Sequence, residues 1–197
     1  MNYKTLNYYN TNAKEYFETT KNIKTTDIYN EFINMVKPSG KVLDLGCGSG
    51  RDSLYFKNAG YYVTSIDGSI ELAKEAKKLI KQEVIVSKFE DFRSNEKFDG
   101  IWACASLLHV RRENIEGVLR NLTNNLNKGS VFYLSFKYGD NEYIDDKGRY
   151  FNCYIEETFM ELITKIKEYK LKAIYKTGDF LGRRDNLIWL NIILERI

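Results

Sequence analysis

The chain has 197 residues, 43% of them hydrophobic, which is enough for one domain with a sizeable core. Its 30 Lys and Arg residues are nearly balanced by 27 Asp and Glu residues, and the formal net charge of +3 argues against a dedicated polyanion-binding protein. No apolar run approaches the roughly 20 residues that cross a bilayer, and the N-terminus lacks the apolar core of a secretory signal. The three cysteines are too far apart for a disulfide framework or a zinc-ligand spacing. We therefore expect a single cytoplasmic domain without a metal site.

Residues 1–40 are predicted to form an N-terminal helical segment that ends at Pro38-Ser39-Gly40. Short apolar runs then alternate with helical patterns. The predicted strands are 41–46, 61–67, 83–89, 98–106 and 130–136. Each is apolar with little alternation, as in strands buried on both faces. Apolar residues recur at helical spacing in two sets: Ile70, Leu72, Ala73, Ala76, Leu79 and Ile80, then Ile115, Val118, Leu119, Leu122 and Leu126. This alternation predicts an α/β fold with a parallel sheet and helices on both faces.

The C-terminal third departs from this pattern. Residues 137–153 are polar and aromatic and too long for a minimal connection, which indicates either a substrate-side lid or a surface loop. A helix follows, with the apolar stripe Phe159, Leu162, Ile163 and Ile166. The last two predicted strands, 172–180 and 187–196, are joined by too few residues for a parallel crossover. They must therefore be antiparallel neighbours, and the sheet is mostly parallel with one reversed strand near its edge.

A glycine-rich turn follows the first strand in the string Asp44-Leu45-Gly46-Cys47-Gly48-Ser49-Gly50, and a helix over 51–59 begins directly after it. Glycines allow positive φ angles and close backbone approach, and the helix N-terminus supplies free N–H groups. A dinucleotide fingerprint would need Gly or Ala where Arg51 stands, and the Lys-Ser or Lys-Thr of a phosphate-binding loop is missing. A second carboxylate, Asp67, ends the next strand, where it can accept hydrogen bonds from both ribose hydroxyls of an adenosine.

These motifs resemble the first two cofactor motifs of class I S-adenosylmethionine-dependent methyltransferases. The resemblance covers residues 41 to about 136, and the final strand pair extends it to the C-terminus. It implies a Rossmann-like seven-stranded sheet in the order 3-2-1-4-5-7-6, with strand 7 antiparallel, a single domain over 1–197 and S-adenosylmethionine as the cofactor. The strings LDLGCGSGRDSLYF and AGYYVTSID further resemble the tellurite-resistance type of small-molecule methyltransferase.

The resemblance also implies which residues hold the cofactor. Residues 46–48 would lie against its methionine part, Asp67 would hold the ribose, and Asp44 would order the loop near the methionine amino group. Residues 90–92 would contact the adenine, and residues 102–105 would flank the methionyl group and the sulfonium. The complete set is Asp44, Gly46, Cys47, Gly48, Gly50, Arg51, Asp67, Gly68, Ser69, Glu90, Asp91, Phe92, Ala103, Cys104 and Tyr16.

On the substrate side, the resemblance implies contacts from Tyr9, Leu108, His109, Lys137 and Tyr138. Tyr9-Asn10-x-x-Ala13-x-x-Tyr16 is similar to the lid helix of small-molecule members, whose tyrosines cover the cofactor. His109 is the only histidine, and an ordinary pKa near 6.5 would let it act as a general base; a structural role is the alternative. The pair Arg183-Arg184 in the final hairpin is either an anion-binding feature or a solvated turn.

Methyl transfer from a sulfonium requires mainly in-line alignment and exclusion of water, so no catalytic dyad is expected. The Asn-Pro-Pro-Tyr-type motif of DNA-adenine and protein-glutamine methylation is absent, and so is the Pro-Cys nucleophile of cytosine C5 methylation. We therefore predict methyl transfer to a small molecule through a thiol, amine, oxyanion or metalloid oxyanion, by a monomer or homodimer that binds no nucleic acid or membrane. RNA or protein methylation, and a catalytically silent S-adenosylmethionine-binding regulator, stay open as alternatives.

Overall fold

The computed structural model describes residues 3–23, 25–179 and 187–197. The strands are β1 Lys41–Leu45, β2 Tyr62–Asp67, β3 Val84–Val86, β4 Phe98–Ala103, β5 Leu126–Lys137, β6 Glu142–Ile144, β7 Tyr150–Asn152, β8 Tyr169–Thr177 and β9 Trp189–Arg196. The helices are α1 Tyr3–Thr11, α2 Ala13–Thr20, α3 Thr26–Ile33, α4 Arg51–Asn58, α5 Ile70–Ile80, α6 Arg112–Thr123 and α7 Glu156–Ile163, and a short 3-10 helix, Leu107–His109, follows β4. In the described part of the chain, we find no helix with the length and apolarity needed to cross a membrane.

The central sheet has seven strands in the order β3-β2-β1-β4-β5-β9-β8. Strands β1 to β5 are parallel, whereas β9 runs antiparallel to both β5 and β8. Because β8 and β9 are the sixth and seventh sheet strands in chain order, this is the order 3-2-1-4-5-7-6 with the seventh strand reversed. The predicted α/β, Rossmann-like fold is confirmed.

Both faces of the sheet are covered, so its strands are apolar on both sides. On one face Phe32 of α3 and Phe56 of α4 pack against Trp102 of β4. On the other face Ile101, the preceding residue of β4, belongs to the cluster that contains the apolar stripes of α6 and α7. Ile101 and Trp102 are both fully buried, as expected of a strand whose alternate side chains enter two cores.

Several element boundaries differ from the sequence-based expectations. The strand predicted over 83–89 is limited to Val84–Val86, and the one predicted over 172–180 is Tyr169–Thr177. The prediction that Leu126 continues the helix of Leu122 is wrong: α6 ends at Thr123, and Leu126 begins β5 opposite Phe98. Leu126 is buried and four residues from Leu122, so the helical period alone could not separate helix from strand. Likewise β4 ends at Ala103, because Ala105 has a φ of 50° and its N–H donates to Ser135 Oγ at 2.8 Å.

Residues 137–153 fold as a β-hairpin where the sequence indicates a loop. Strands β6 and β7 form a separate two-stranded antiparallel sheet. The turn is closed by hydrogen bonds from Gly148 N to Asp145 O and from Asp145 N to Arg149 O, both 2.9 Å, and Gly148 has a φ of 77°. The hairpin stands beside the carboxyl end of β5, the edge where the parallel strands present their loops.

The N-terminal segment is held between the sheet edge and this hairpin. Asn10 Oδ1 of α1 accepts hydrogen bonds from Ser69 Oγ at 2.7 Å and from Glu71 N at 3.3 Å, at the start of α5. Thr5 Oγ1, also on α1, accepts from Tyr150 N of β7 at 3.0 Å. Helix α1 therefore bridges the start of α5 and the hairpin.

Candidate active site

The glycine-rich turn is fixed by backbone geometry that only glycine adopts without strain. Gly46, Gly48 and Gly50 have φ angles of 87°, 55° and 81°. A Cβ on Gly46 would lie 2.5 Å from Ser106 Cβ, so any side chain there would collide with the loop after β4. The N–H groups of Gly46 and Cys47 both donate to Ile66 O at 2.8 Å. The turn is therefore tied to the end of β2, the strand that carries Asp67.

Asp67 joins this turn to the start of α5. Its Oδ2 accepts from Gly48 N and its Oδ1 from Ser69 N, both at 2.8 Å, and the residue is 8% exposed. Burial raises the pKa of Asp67 to about 6, although the N–H groups of Ser69 and Gly48 act in the opposite direction. Each carboxylate oxygen retains a lone pair beyond these contacts and can accept from a ligand hydroxyl.

Two adjoining cavities meet at this turn. The large cavity, of about 330 Å³, extends from the glycine-rich turn to β5, β9 and the hairpin. The small cavity, of about 40 Å³, lies between α1, Asp67 and the apolar side chains of Leu72 and Phe89. Both are closed by residues from α1, α2 and the loop after β4, namely Tyr9, Tyr16, Ala105 and His109.

The structure brings most of the predicted site residues to these walls. Those lining the large cavity are Tyr9, Tyr16, Gly46, Cys47, Gly48, Arg51, Cys104, Leu108, His109 and Lys137. Asp67 and Ser69 line the small one. Burial raises the pKa of both cavity thiols, that of Cys104 to about 12, so they are protonated and do not act as nucleophiles.

Other predicted residues lie outside the walls of the two cavities: Asp44, Gly50, Gly68, Glu90, Asp91, Phe92, Ala103 and Tyr138. Phe92 is 3% exposed and packs in the hydrophobic core. The phenylalanine that lines the small cavity is Phe89 instead. The ammonium of Lys176 lies over the Tyr138 ring, 4.3 Å from its centroid. Asp44 accepts a hydrogen bond from Ser53 Oγ at 2.6 Å, behind the turn. Their contacts with a cofactor stay predictions, and Arg183-Arg184 falls outside the described residues.

A buried network that the sequence does not reveal holds Arg51. Asp52 accepts from Arg51 Nε at 2.5 Å, from Trp102 Nε1 at 2.8 Å and from the hydroxyl of Tyr29. Burial alone would raise the pKa of Asp52, but Arg51 and these donors outweigh it and lower the pKa below its usual value. The nearby carboxyl of Asp44 has a raised pKa, because it is buried and faces the Asp52 charge. Asp52 is thus the ionised partner of a guanidinium on the cavity wall.

His109 is a buried neutral imidazole with both nitrogens engaged. Its Nδ1 lies 2.7 Å from Tyr150 O, which can only accept, so Nδ1 carries the hydrogen. Nε2 therefore accepts from the Tyr9 hydroxyl at 2.7 Å. Burial lowers the pKa of His109 to about 4, assisted by the charges of Arg149 and Lys137. The arrangement favours holding Tyr9 in place over proton abstraction at neutral pH.

Several cavity residues come from strand faces that are far apart in sequence. Tyr133, Ser135 and Lys137 are alternate residues of β5, and all three line the cavity. Ser135 pairs with Asn191 of β9, and Lys137 pairs with Trp189 of the same strand. The hairpin adds Arg149 and Phe151. In the sequence, alternate residues of β5 and of β7 are expected to share one face of their strand. This spacing does not tell which face meets the cavity.

The structure is similar to solved methyltransferases. It aligns with the 1,6-didemethyltoxoflavin-N1-methyltransferase of Burkholderia thailandensis, solved with 1,6-didemethyltoxoflavin and S-adenosylhomocysteine, at a TM-score of 0.74 and 18% identity, covering 96% of this chain and 88% of that chain. A TehB-like S-adenosylmethionine-dependent methyltransferase of Corynebacterium glutamicum gives a TM-score of 0.71 at 17% identity, with 95% and 99% covered. Sheet order, glycine-rich turn and these neighbours define the fold as that of class I S-adenosylmethionine-dependent methyltransferases.

The family follows from the sequence comparisons. The chain belongs to the TehB family, because the family model described as tellurite resistance protein TehB matches residues 9–143. A relative from Haemophilus influenzae (strain ATCC 51907 / DSM 11121 / KW20 / Rd), named a probable S-adenosyl-L-methionine-dependent methyltransferase TehB, is 27% identical over 190 residues, or 93% of this chain. This chain spans 61% of that relative's length. The resemblance noted from the sequence is confirmed at the level of class and family.

Proposed function

We propose that this chain binds S-adenosylmethionine and transfers its methyl group to a small-molecule acceptor. The observation that carries the proposal is the convergence of the glycine-rich turn and the Asp67 carboxylate on one pair of adjoining cavities. The names of the curated TehB relatives and of the structural neighbours support it. A cavity walled by α1, α2 and the hairpin favours a small acceptor over a polymer.

The residues at the two cavities fit the chemical groups of this cofactor. At the small cavity, the Asp67 carboxylate can accept hydrogen bonds from hydroxyl groups, which suits a ribose. The apolar side chains of Leu72 and Phe89 lie at the same cavity, which suits the attached base. The glycine-rich turn, with Arg51 held by Asp52, offers N–H groups and a cation, which suit the methionine carboxylate. When bound, the cofactor supplies an electrophilic methyl group on a sulfonium that carries its own leaving group.

Helix α1 has to shift for the adenosine part to enter. A cavity of about 40 Å³ holds only a few water molecules. Leu6 and Tyr9 line this cavity, and both belong to α1. We therefore assign α1 and α2 the role of a lid that opens for the cofactor and closes over it, which excludes water from the reacting groups.

On the acceptor side, the chain supplies positioning. Burial raises the pKa of the Tyr16 phenol to about 12 and that of Tyr9 well above 10, so both are neutral at the cavity. The Tyr9 hydroxyl donates a hydrogen bond to His109 Nε2, so the Tyr9 oxygen presents lone pairs that can accept from an N–H or O–H of the methyl acceptor. Methyl transfer then depends mainly on alignment within the closed cavity.

Calorimetric titration with S-adenosylhomocysteine tests the proposal. We expect micromolar-range binding in the wild type, and a loss of about 1.5–3 kcal/mol in Asp67→Ala, the contribution of a hydrogen bond to a charged group. The matched control is Asp27→Ala, an exposed carboxylate of α3 outside both cavities, which should bind as the wild type does. Absence of binding heat with both S-adenosylmethionine and its demethylated product in the wild type would overturn the proposed function.

A further inference from the structure

The large cavity contains a cationic corner, formed by Lys137, Arg149, Tyr8 and Phe151, where the hairpin meets α1. Lys137 ends β5 and is only 8% exposed. Its ammonium lies 3.4 Å from the centroid of the Phe151 ring and 2.6 Å from the hydroxyl of Tyr143. A buried ammonium against an aromatic face is strongly desolvated and therefore attracts an anion more than a surface lysine does.

Arg149 forms the second half of the corner and is held rigidly. Its Nε and Nη2 donate to Asp145 Oδ2 at 2.9 and 2.7 Å, and the guanidinium lies 4.6 Å from the Tyr8 ring centroid. Asp145 engages one edge of the guanidinium, and a planar fork with five N–H donors keeps further donors for a ligand. Because the side chain is only 15% exposed, its position is defined before a ligand arrives.

The charges around the corner favour an anion. Arg149 and Lys137 both lower the pKa of the buried His109 imidazole, whereas Asp145, the partner of Arg149, raises it, so two cations and one carboxylate act on this part of the cavity. The acidic side chains among the described cavity residues are Glu15, Asp52 and Asp179. Asp52 is paired with Arg51, Asp179 accepts from Trp189 Nε1 at 3.4 Å, and Glu15 is an exposed residue of α2.

The remaining wall is aromatic. The ring pairs Tyr8–Tyr9, Tyr9–His109 and His109–Phe151 follow one another with centroid separations of 5.3, 5.4 and 4.9 Å. Tyr143 stacks on Phe151 with centroids 5.1 Å apart, and Arg149 lies over Tyr8, so these two rings offer their edges to a flat ligand. The volume of about 330 Å³ reaches the range of pockets that hold drug-sized molecules, roughly 300–1,000 Å³. The cavity continues past the glycine-rich turn to Trp189 and Asn191 of β9, beyond the part where the methionine portion of the cofactor would lie.

We propose that the acceptor is a planar organic anion, an aromatic carboxylate, whose carboxylate is bound by Lys137 and Arg149 and whose ring packs against the edges of Tyr8 and Phe151. This inference rests on the proposed function, since it assigns the substrate class of the same site. It goes beyond the family description, which concerns an inorganic oxyanion.

The test is calorimetry on protein saturated with S-adenosylhomocysteine, with benzoate and 2-naphthoate as probes and benzamide and 2-naphthamide as neutral isosteres. We expect at least one carboxylate to bind at least tenfold more tightly than its amide. Lys137→Met and Arg149→Met should each weaken that binding at least tenfold, while Lys137→Arg retains most of it. Lys128→Met removes an exposed lysine of the same strand and should change nothing.

Three results would overturn the inference: no binding by either carboxylate, equal binding of carboxylate and amide, or unchanged carboxylate binding in both methionine variants. Binding of selenite alone, lost in Lys137→Met, would assign the corner to an inorganic oxyanion and would also overturn it. The affinity for S-adenosylhomocysteine is measured first in every variant, which verifies folding. If the wild type does not bind S-adenosylhomocysteine, the proposed function is refuted. If it binds S-adenosylhomocysteine but does not prefer the carboxylates to the amides, only this inference is refuted.

Discussion

The hydroxyl oxygen of Tyr9 lies 2.7 Å from Nε2 of His109, and this contact joins α1 to the 3-10 helix after β4. The opposite nitrogen of the same imidazole donates to Tyr150 O at the start of β7. One neutral ring therefore connects the N-terminal helix, the loop beyond β4 and the hairpin. The histidine that the sequence offers as a general base is placed to hold these three elements together.

His109 should make the stability of the protein depend on pH. The pKa of His109 is lowered to about 4, against about 6.5 in an unfolded chain, so the unfolded state takes up the proton first as the pH falls. The stabilisation is complete above pH 6.5 and is lost progressively toward pH 4, by about 3 kcal/mol in total. We expect the stability difference between wild type and His109→Gln to shrink by this amount between pH 7 and pH 4 in urea unfolding.

The comparison with His109→Gln is needed because Asp67 and Asp44 titrate in the opposite sense, with raised pKa values that favour the folded state as the pH falls. Their contribution cancels in the difference. A difference that stays constant from pH 7 to pH 4 would contradict the assignment of a buried neutral imidazole.

Asp52 should contribute more to stability than its place beside the glycine-rich turn suggests. Asp52→Asn leaves the largely buried Arg51 without its counter-charge and the Trp102 indole N–H without a carboxylate. Breaking one partner of a buried ion pair costs about 3–5 kcal/mol. We expect a loss near the lower end of this range in urea unfolding, together with a shifted tryptophan emission, since Trp102 loses its charged neighbour.

The control for this variant is Asp146→Asn, an exposed carboxylate in the hairpin, which should change stability by less than about 0.5 kcal/mol. If Asp52→Asn is as mild as the control, the Arg51 guanidinium has another partner and the network has been misassigned.

The sequence predicts the fold well because the relevant signals are local. Buried parallel strands read as continuous apolar runs, and the string from Asp44 to Gly50 occurs where a strand turns into a helix. The helical prediction fails at Leu126 because a buried residue four positions after Leu122 fits the pattern of a continuing helix and that of a new strand. For such a short apolar stretch, the choice between helix and strand depends on strand pairing, here between Leu126 and Phe98. The two residues are far apart in sequence, so local spacing does not predict this pairing.

The site is predictable only where it is contiguous in sequence. The turn and Asp67 are recognised from spacing, whereas Arg149 and Tyr133 reach the cavity through the hairpin and the strand register. Asp44 and Asp52 show the limit of spacing arguments. The side chain of Asp44 bonds Ser53 behind the turn, and it is Asp52, on the first turn of α4, that lines the cavity.

The lid can be tested through Asn10, whose side-chain oxygen accepts from Ser69 Oγ and Glu71 N. Asn10→Ala removes both contacts and should leave α1 less firmly closed. Because a typical hydrogen bond contributes about 1 kcal/mol, the loss of two should speed the dissociation of S-adenosylhomocysteine by up to roughly thirtyfold. Stopped-flow displacement measures this rate, and Asn7→Ala, an exposed asparagine on the same helix, is the control. Equal rates in the two variants would mean that α1 does not gate the cofactor.

Asp67 should make cofactor affinity depend on pH. Burial raises the pKa of Asp67 to about 6, and only the ionised form offers free lone pairs on both oxygens to ribose hydroxyls. The affinity for S-adenosylhomocysteine should therefore be constant above pH 7 and decrease below pH 6, by at most tenfold per pH unit. Asp67→Asn should bind weakly with no such dependence, whereas Asp27→Asn, which changes an exposed carboxylate outside both cavities, should keep the wild-type profile. Calorimetry between pH 5 and pH 8 checks this, and a flat wild-type profile would show that the carboxylate does not titrate against the ligand.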